Sequence, residues 1–228
     1  MQPLAPTVPI AQAPPEVRST YMTRVYARLL FGIAGFILAS WWLFATELAY
    51  AIAAFVLGTS WLLILGGFMI VSWMATSMML RAGSPAGQYA AYAAIVAANV
   101  LLFATPLVIA QVRAPGAIEL AAQTAVVAFG VLSLIAIRTS KDFSFLRGFL
   151  LWGGFLALGL IVLGTLTSFD LGLWFTIGML GFAGAAILYD TQRIYRTFPT
   201  GTETIAAANL FSSIALLFWY LLQLFSRD

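Results

Sequence analysis

The chain contains no cysteine and no histidine. Without cysteine there are no disulfides, thiolate nucleophiles or thiolate metal sites. Without histidine there is no imidazole ligation of zinc or haem, and the side chain that ordinarily changes charge near neutral pH is missing. Proton sensing near neutrality therefore falls to a carboxylate whose surroundings favour its neutral form. Charge of either sign is scarce as well: 8% of the 228 residues are charged and 62% are hydrophobic, against about 25% charged in soluble domains. These scarcities exclude a soluble globular domain and define an all-α integral membrane protein. The net charge of +3 calls for no nucleic-acid partner, because cytosolic membrane loops are basic in any case.

A membrane-crossing helix needs about 20 apolar residues, each rising about 1.5 Å, to cover about 30 Å of hydrocarbon. Seven stretches meet that requirement, roughly 25–46, 50–78, 87–110, 118–138, 146–167, 171–193 and 204–225. Little else is left, so the expectation is one seven-helix domain over residues 21–228 and a short cytosolic tail over residues 1–20. Pro3, Pro6, Pro9, Pro14 and Pro15 predict a disordered or polyproline-like tail with little to bury. The order Arg18, Arg24, Arg28 and then an apolar run from Leu29 imitates a signal peptide. The Pro-rich lead and the spans that follow at once argue against cleavage.

The loops sort by charge. Arg18, Arg24 and Arg28 precede the first span, Arg81 follows the second, Arg138, Lys141 and Arg147 surround the fourth loop, and Arg193 and Arg196 lie in the sixth; Arg113 and Arg227 fall on the other side. This asymmetry predicts a cytosolic amino terminus and an external carboxyl terminus. Glu203 and Arg227 are read as the two wet ends of the last span. Pro106 should kink or end the third helix. Gly178, Gly181 and Gly184 recur every third position, and Gly181 with Ala185 forms a small-xxx-small pair, which predicts a close helix–helix seam. Trp41, Trp42, Trp73, Trp152 and Trp219 read as interfacial anchors or packing.

Against this background Asp190 stands out as a carboxylate on an otherwise apolar sixth span. An acid facing lipid is costly, so it should face protein or water. Two readings stay open: an ordinary ion pair with Arg193, three residues on, or a titratable gate or ion site. The last span offers it polar company in Asn209, Ser212, Ser213 and Gln223. Asn209 and Ser213, four apart, lie on one helix face and either glue helices together or line a polar path beside Asp190. Asn99 on the third span is a further candidate for the same centre. Glu47, Glu119 and Asp170 are placed at outer span ends as solvated groups. An intramembrane protease needs paired acids or a nucleophile with its base; Asp190 has no second intramembrane carboxylate and Ser213 has no activating base, so no enzyme activity and no cofactor are expected.

The segment Gly181-Phe-Ala-Gly-Ala-Ala-Ile-Leu-Tyr-Asp190-Thr-Gln-Arg-Ile resembles the sixth-helix signature of the Bax inhibitor-1 family, the transmembrane Bax inhibitor motif proteins. Four further stretches are similar to that family: Arg24-Val-Tyr26 in its opening helix, Leu101-Leu-Phe-Ala-Thr-Pro106-Leu at the end of the third, Thr139-Ser-Lys-Asp-Phe-Ser-Phe-Leu-Arg-Gly-Phe-Leu150 at the start of the fifth, and Glu203-Thr-Ile-Ala-Ala in the last. The resemblance implies seven helices with the last enclosed by the other six. It also implies a pH-sensitive calcium leak gated by two aspartates on the sixth and seventh helices. Asp190 falls on the first of these, where a transient calcium contact is implied; Ser213 stands in place of the second. The basic latch that some members carry on the second helix has no clear counterpart, since Arg81 lies beyond that span. The serine and the closing Leu224-Phe-Ser-Arg-Asp228 resemble a bacterial branch that binds the membrane protease FtsH. Two functions follow as expectations: a cation leak of a bacterial inner membrane controlled near Asp190, or a non-conducting protein that modulates FtsH and membrane-protein quality control.

Overall fold

The structure, a computed structural model, describes residues 9–227. Its helices are α1 (Pro15–Ala45), α2 (Leu48–Leu57), α3 (Trp61–Arg81), α4 (Pro85–Arg113), α5 (Ala117–Arg138), α6 (Leu146–Thr167), α7 (Gly172–Thr197) and α8 (Glu203–Phe225). Seven are long and apolar enough to cross a membrane, and α2 is not. The sixth and seventh expected spans are thus α7 and α8.

The expected single span over residues 50–78 is two helices. Gly58, Thr59 and Ser60 interrupt the apolar run, and Ser60 takes a non-helical conformation at the head of α3. Before α2, Glu47 adopts the left-handed region (φ 61°) and reverses the chain after α1. Hydropathy registers none of this, because both helices are apolar. Pro106 does not end its helix either: α4 continues to Arg113.

The expected loose tail requires a second correction. Residues 1–8 lie outside the described residues, but residues 9–20 are docked. A short 3₁₀ turn covers Ile10–Gln12, the Ile10 side chain is fully buried, and its backbone N–H donates to the Phe198 carbonyl at 2.9 Å. Pro15 then opens α1 as an N1 proline, where its missing N–H costs nothing. Pro15 thus initiates a helix rather than forbidding one.

α8 is the most buried of the spanning helices. α1, α4, α5 and α7 flank it, whereas α6 packs mainly on α7, and α3 packs on α4 and reaches α8 through Trp61, stacked on Trp219 with ring centroids 5.9 Å apart. The enclosure is therefore the work of four close neighbours rather than six. In lipid, helices gain little from burying apolar surface against one another, so shape and hydrogen bonds decide their association. Ala206, Ala207 and Ala208 keep α8 slim where other helices crowd it. Further along, Phe103 of α4 meets Phe36 of α1 edge-on at 5.3 Å and stacks on Phe218 of α8 at 5.5 Å. Such offset and edge contacts add about 0.5–1.5 kcal/mol each beyond area burial. Trp41, Trp73 and Trp152 project outward, as anchors should, while Trp219 belongs to the interior.

The glycine seam expected on α7 is not where helices approach. Nothing lies within 4 Å of a Cβ built on Gly178 or Gly181, and only Gly184 meets a neighbour, Leu132 of α5, at 3.6 Å. The close approach falls instead at Gly32 of α1, where a Cβ would collide with the hydroxyl of buried Tyr92 on α4. Gly32→Ala is therefore expected to lose about 1–3 kcal/mol through overpacking. Thermal unfolding in detergent checks this against Gly66→Ala, where open space predicts no loss.

Candidate functional site: the polar seam of α7 and α8

Four consecutive residues of α7, Asp190 to Arg193, face four different surroundings, as about 100° of rotation per residue requires. Asp190 is half-buried and accepts a hydrogen bond from the Ser213 hydroxyl of α8 at 2.5 Å. Thr191, fully buried, lies 3.4 Å from the Ser133 hydroxyl of α5. Gln192 holds the α5–α6 loop, accepting from the Phe143 backbone N–H at 2.7 Å and donating to the Lys141 carbonyl at 2.8 Å. Arg193 is exposed and lies over the Phe198 and Tyr189 rings at 5.5 and 6.0 Å.

The Asp190–Arg193 ion pair is therefore not formed among the described residues. The arginine reaches toward the helix end, where its charge stays in water and its stem covers an aromatic ring. Asp190 and Ser213 do meet. Their positions relative to Arg193 and Glu203 suggest different depths, but α7 runs on to Thr197, which sets Asp190 back from the helix end and level with the middle of α8. Ser213 is 5% exposed, so the pair is an interhelical contact inside the bundle. A hydroxyl donating to a carboxylate at this length has charge-assisted geometry, and such bonds are roughly twice as strong as neutral ones.

Other candidates do not join this centre. Asn209 is half-buried, and no hydrogen bond ties its amide to Asp190 or Ser213 among the described residues. Asn99 is buried but donates to the Ile95 carbonyl of its own helix at 2.9 Å. No group of three or more acidic residues that could hold a metal ion occurs among the described residues. Asp190 and Ser213 can offer a cation three oxygens at most, two from the carboxylate and one from the hydroxyl, short of the roughly six to eight that bind calcium tightly.

Glu203, read from sequence as a wet end, is the other surprise. It is 7% exposed. Arg28 of α1 pairs with it at 3.1 Å and also donates to Thr204 at 3.1 Å, while Arg24 approaches it at 3.8 Å. Next to it, the Tyr21 hydroxyl lies 3.1 Å from the Thr202 hydroxyl. The signal was present in the spacing: Arg24 and Arg28, four apart, share one helix face, and an acid in the first turn suits a helix N-terminus. Arg196 was missed too; it donates to the Lys141 carbonyl at 3.2 Å and reinforces the Gln192 clamp.

A cavity of about 800 Å³ opens at the opposite end of the bundle, lined in part by Trp61, Thr105, Asp170, Thr176, Tyr220 and Gln223. Arg227 and Asp170 sit 3.9 Å apart on its rim. Its lining stops short of Asp190 and Ser213. The intervening inward positions, Met179, Ala183 and Ile187 on α7 and Ile214 and Leu217 on α8, are all buried and apolar.

Fold and seam together define a multi-pass helical membrane protein in which an acid on a spanning helix, Asp190, is held by the central helix. The chain matches the family model described as inhibitor of apoptosis-promoting Bax1 over residues 18–228, and it belongs to that family. It is also similar to the uncharacterized protein PA2604 of Pseudomonas aeruginosa, with 39% identity over 108 residues, a stretch that spans 46% of this chain and 46% of that relative.

Removing Glu203 strands Arg28 at the α1–α8 junction. Glu203→Ala should cost roughly 2 kcal/mol, below the ~3–5 kcal/mol of a fully buried pair because Arg28 keeps some water. Arg24→Ala, which removes a largely exposed partner, should cost well under about 1 kcal/mol. Thermal melts of both variants in detergent measure the difference.

Proposed function

We propose that the protein is a pH-sensitive cation leak of a bacterial inner membrane, with calcium as the permeant ion and control at Asp190. The observation that carries this reading is the Asp190–Ser213 hydrogen bond across the α7–α8 seam. An acid in this position is the natural proton-responsive element of a chain without histidine. When Asp190 is ionised, its bond to Ser213 is charge-assisted and fastens α7 to the central helix. Protonation leaves a neutral bond of roughly half the strength. The apolar residues between the seam and the cavity can then part more easily, and the cavity becomes the mouth of a path. The serine in place of a second acid makes this a one-proton latch rather than a shared-proton pair.

The same serine, which cannot ionise, favours a second reading: a non-conducting protein that binds and restrains a membrane protease such as FtsH. The two are separated by flux. In liposomes loaded with a calcium-sensitive dye, the leak reading predicts entry that rises as the pH is lowered. A loss of about 1 kcal/mol in the latch corresponds to about a fivefold change in the open fraction. Asp190→Asn, which carries no titrating group, should abolish the pH dependence, and Ser213→Ala should raise flux at alkaline pH. Folded protein that passes no calcium at any pH contradicts the leak, and co-purification of a protease with that protein assigns the binding role instead.

A further inference from the structure

We propose that the groove between α1 and α4 at the arginine-rich end of the bundle binds one anionic phospholipid, with its phosphate on Arg24 and one acyl chain laid along the groove. The groove encloses about 670 Å³ and runs beside Arg24, Phe31, Gly35 and Ala39 of α1 and Tyr89, Ala93 and Ala97 of α4. Its shape follows from composition. Gly35 and Ala39 on one helix and exposed Ala93 and Ala97 on the other have too little side chain to close the seam, while Phe31, 78% exposed, stands up as its outer wall. From Ala27 to Ala39, both lining residues, the helix rises about 18 Å, close to the ~15 Å of one leaflet's hydrocarbon.

Charge selects the headgroup. At the mouth, Arg24 and Arg28 share a single carboxylate, Glu203, and Arg28 holds it more closely, at 3.1 Å against 3.8 Å. The Arg24 side chain is 63% exposed, and with two guanidiniums on one carboxylate the groove entrance keeps a net positive charge, which Arg24 presents to the outside. Among the described residues, no acidic one lines the groove. Tyr89 sits beside the same entrance, with the Arg28 guanidinium 5.4 Å from its ring. A phosphodiester accepts two parallel N–H bonds from a guanidinium. A zwitterionic headgroup would bring its own ammonium toward this positive site. The apolar trough behind the arginine favours a lipid over free phosphate, because only a lipid fills both parts.

The test is native mass spectrometry of the full chain released from detergent micelles, titrated separately with phosphatidylglycerol, phosphatidylcholine and glycerol 3-phosphate. The expected result is one retained phosphatidylglycerol, bound in preference to phosphatidylcholine. Arg24→Ala should weaken it about fivefold, as for loss of one basic side chain near a membrane surface. Ala97→Phe fills the trough from an exposed position and should remove the retained lipid. An unchanged melting temperature of the lipid-free variant separates this from misfolding. Equal retention of both lipids, insensitivity to both variants, or displacement by glycerol 3-phosphate at comparable concentration would each overturn the proposal.

Discussion

The packing of the central helices depends on giving a carboxylate on a spanning helix a hydrogen-bond partner. Hydrocarbon supplies no hydrogen-bond partner, so polar groups on spanning helices must find one another. Asp190 finds Ser213, and that contact ties α8 to α7 inside the bundle. Thr191 meets Ser133 for the same reason and draws in α5. Apolar contacts alone would leave the rotation of α7 weakly determined, because lipid tails are as good a neighbour as leucine. The polar partners set that rotation, and the aromatic cluster of Phe36, Phe103 and Phe218 then fixes how closely α1 and α4 can come to the centre.

The two ends of the bundle are built differently. At the arginine-rich end, Arg28 holds Glu203, Tyr21 touches Thr202, Ile10 is tied to Phe198, Arg18 donates to Tyr195 at 3.3 Å, and Gln192 clamps the α5–α6 loop. These bonds cross between α1, the α7–α8 connection and the neighbouring loop, so that end resists separation. At the other end the helices surround an open cavity, and an ion pair of Arg227 with Asp170 lies on the rim with the carboxylate in solvent. Exposed pairs of that kind contribute little. A change in the α7–α8 contact should therefore be expressed at the loose end, about the tied end as a pivot, which is where the proposed path would open.

Much of the fold was legible because long apolar runs carry their own length scale. Seven spans and their order follow from hydropathy, while the enclosure of the last was what the family resemblance implied. The break at Gly58–Ser60 was not legible, since the run is apolar on both sides and a membrane-length argument has no reason to cut it. The tail was misjudged because prolines signal both looseness and helix starts; which applies depends on what Ile10 can bury against, a tertiary fact. The meeting of Asp190 with Ser213 was legible in kind, as an acid and a polar stripe seeking each other. The Asp190–Arg193 pairing failed because three-residue spacing permits contact without requiring it, and Phe198 competes for the guanidinium. Glu203 was misread because a charged residue at a span end looks solvated until the arginines of another helix are placed beside it.

The most direct measurement of the central claim is infrared difference spectroscopy of the protein in lipid as the pH is changed. The account predicts a carbonyl stretching band from a protonated carboxyl group that is missing in Asp190→Asn and moves to higher frequency in Ser213→Ala, because the hydroxyl no longer donates to it. A band that stays in place when Ser213 is replaced, or that persists without Asp190, would contradict the claim that this acid is held by the central helix.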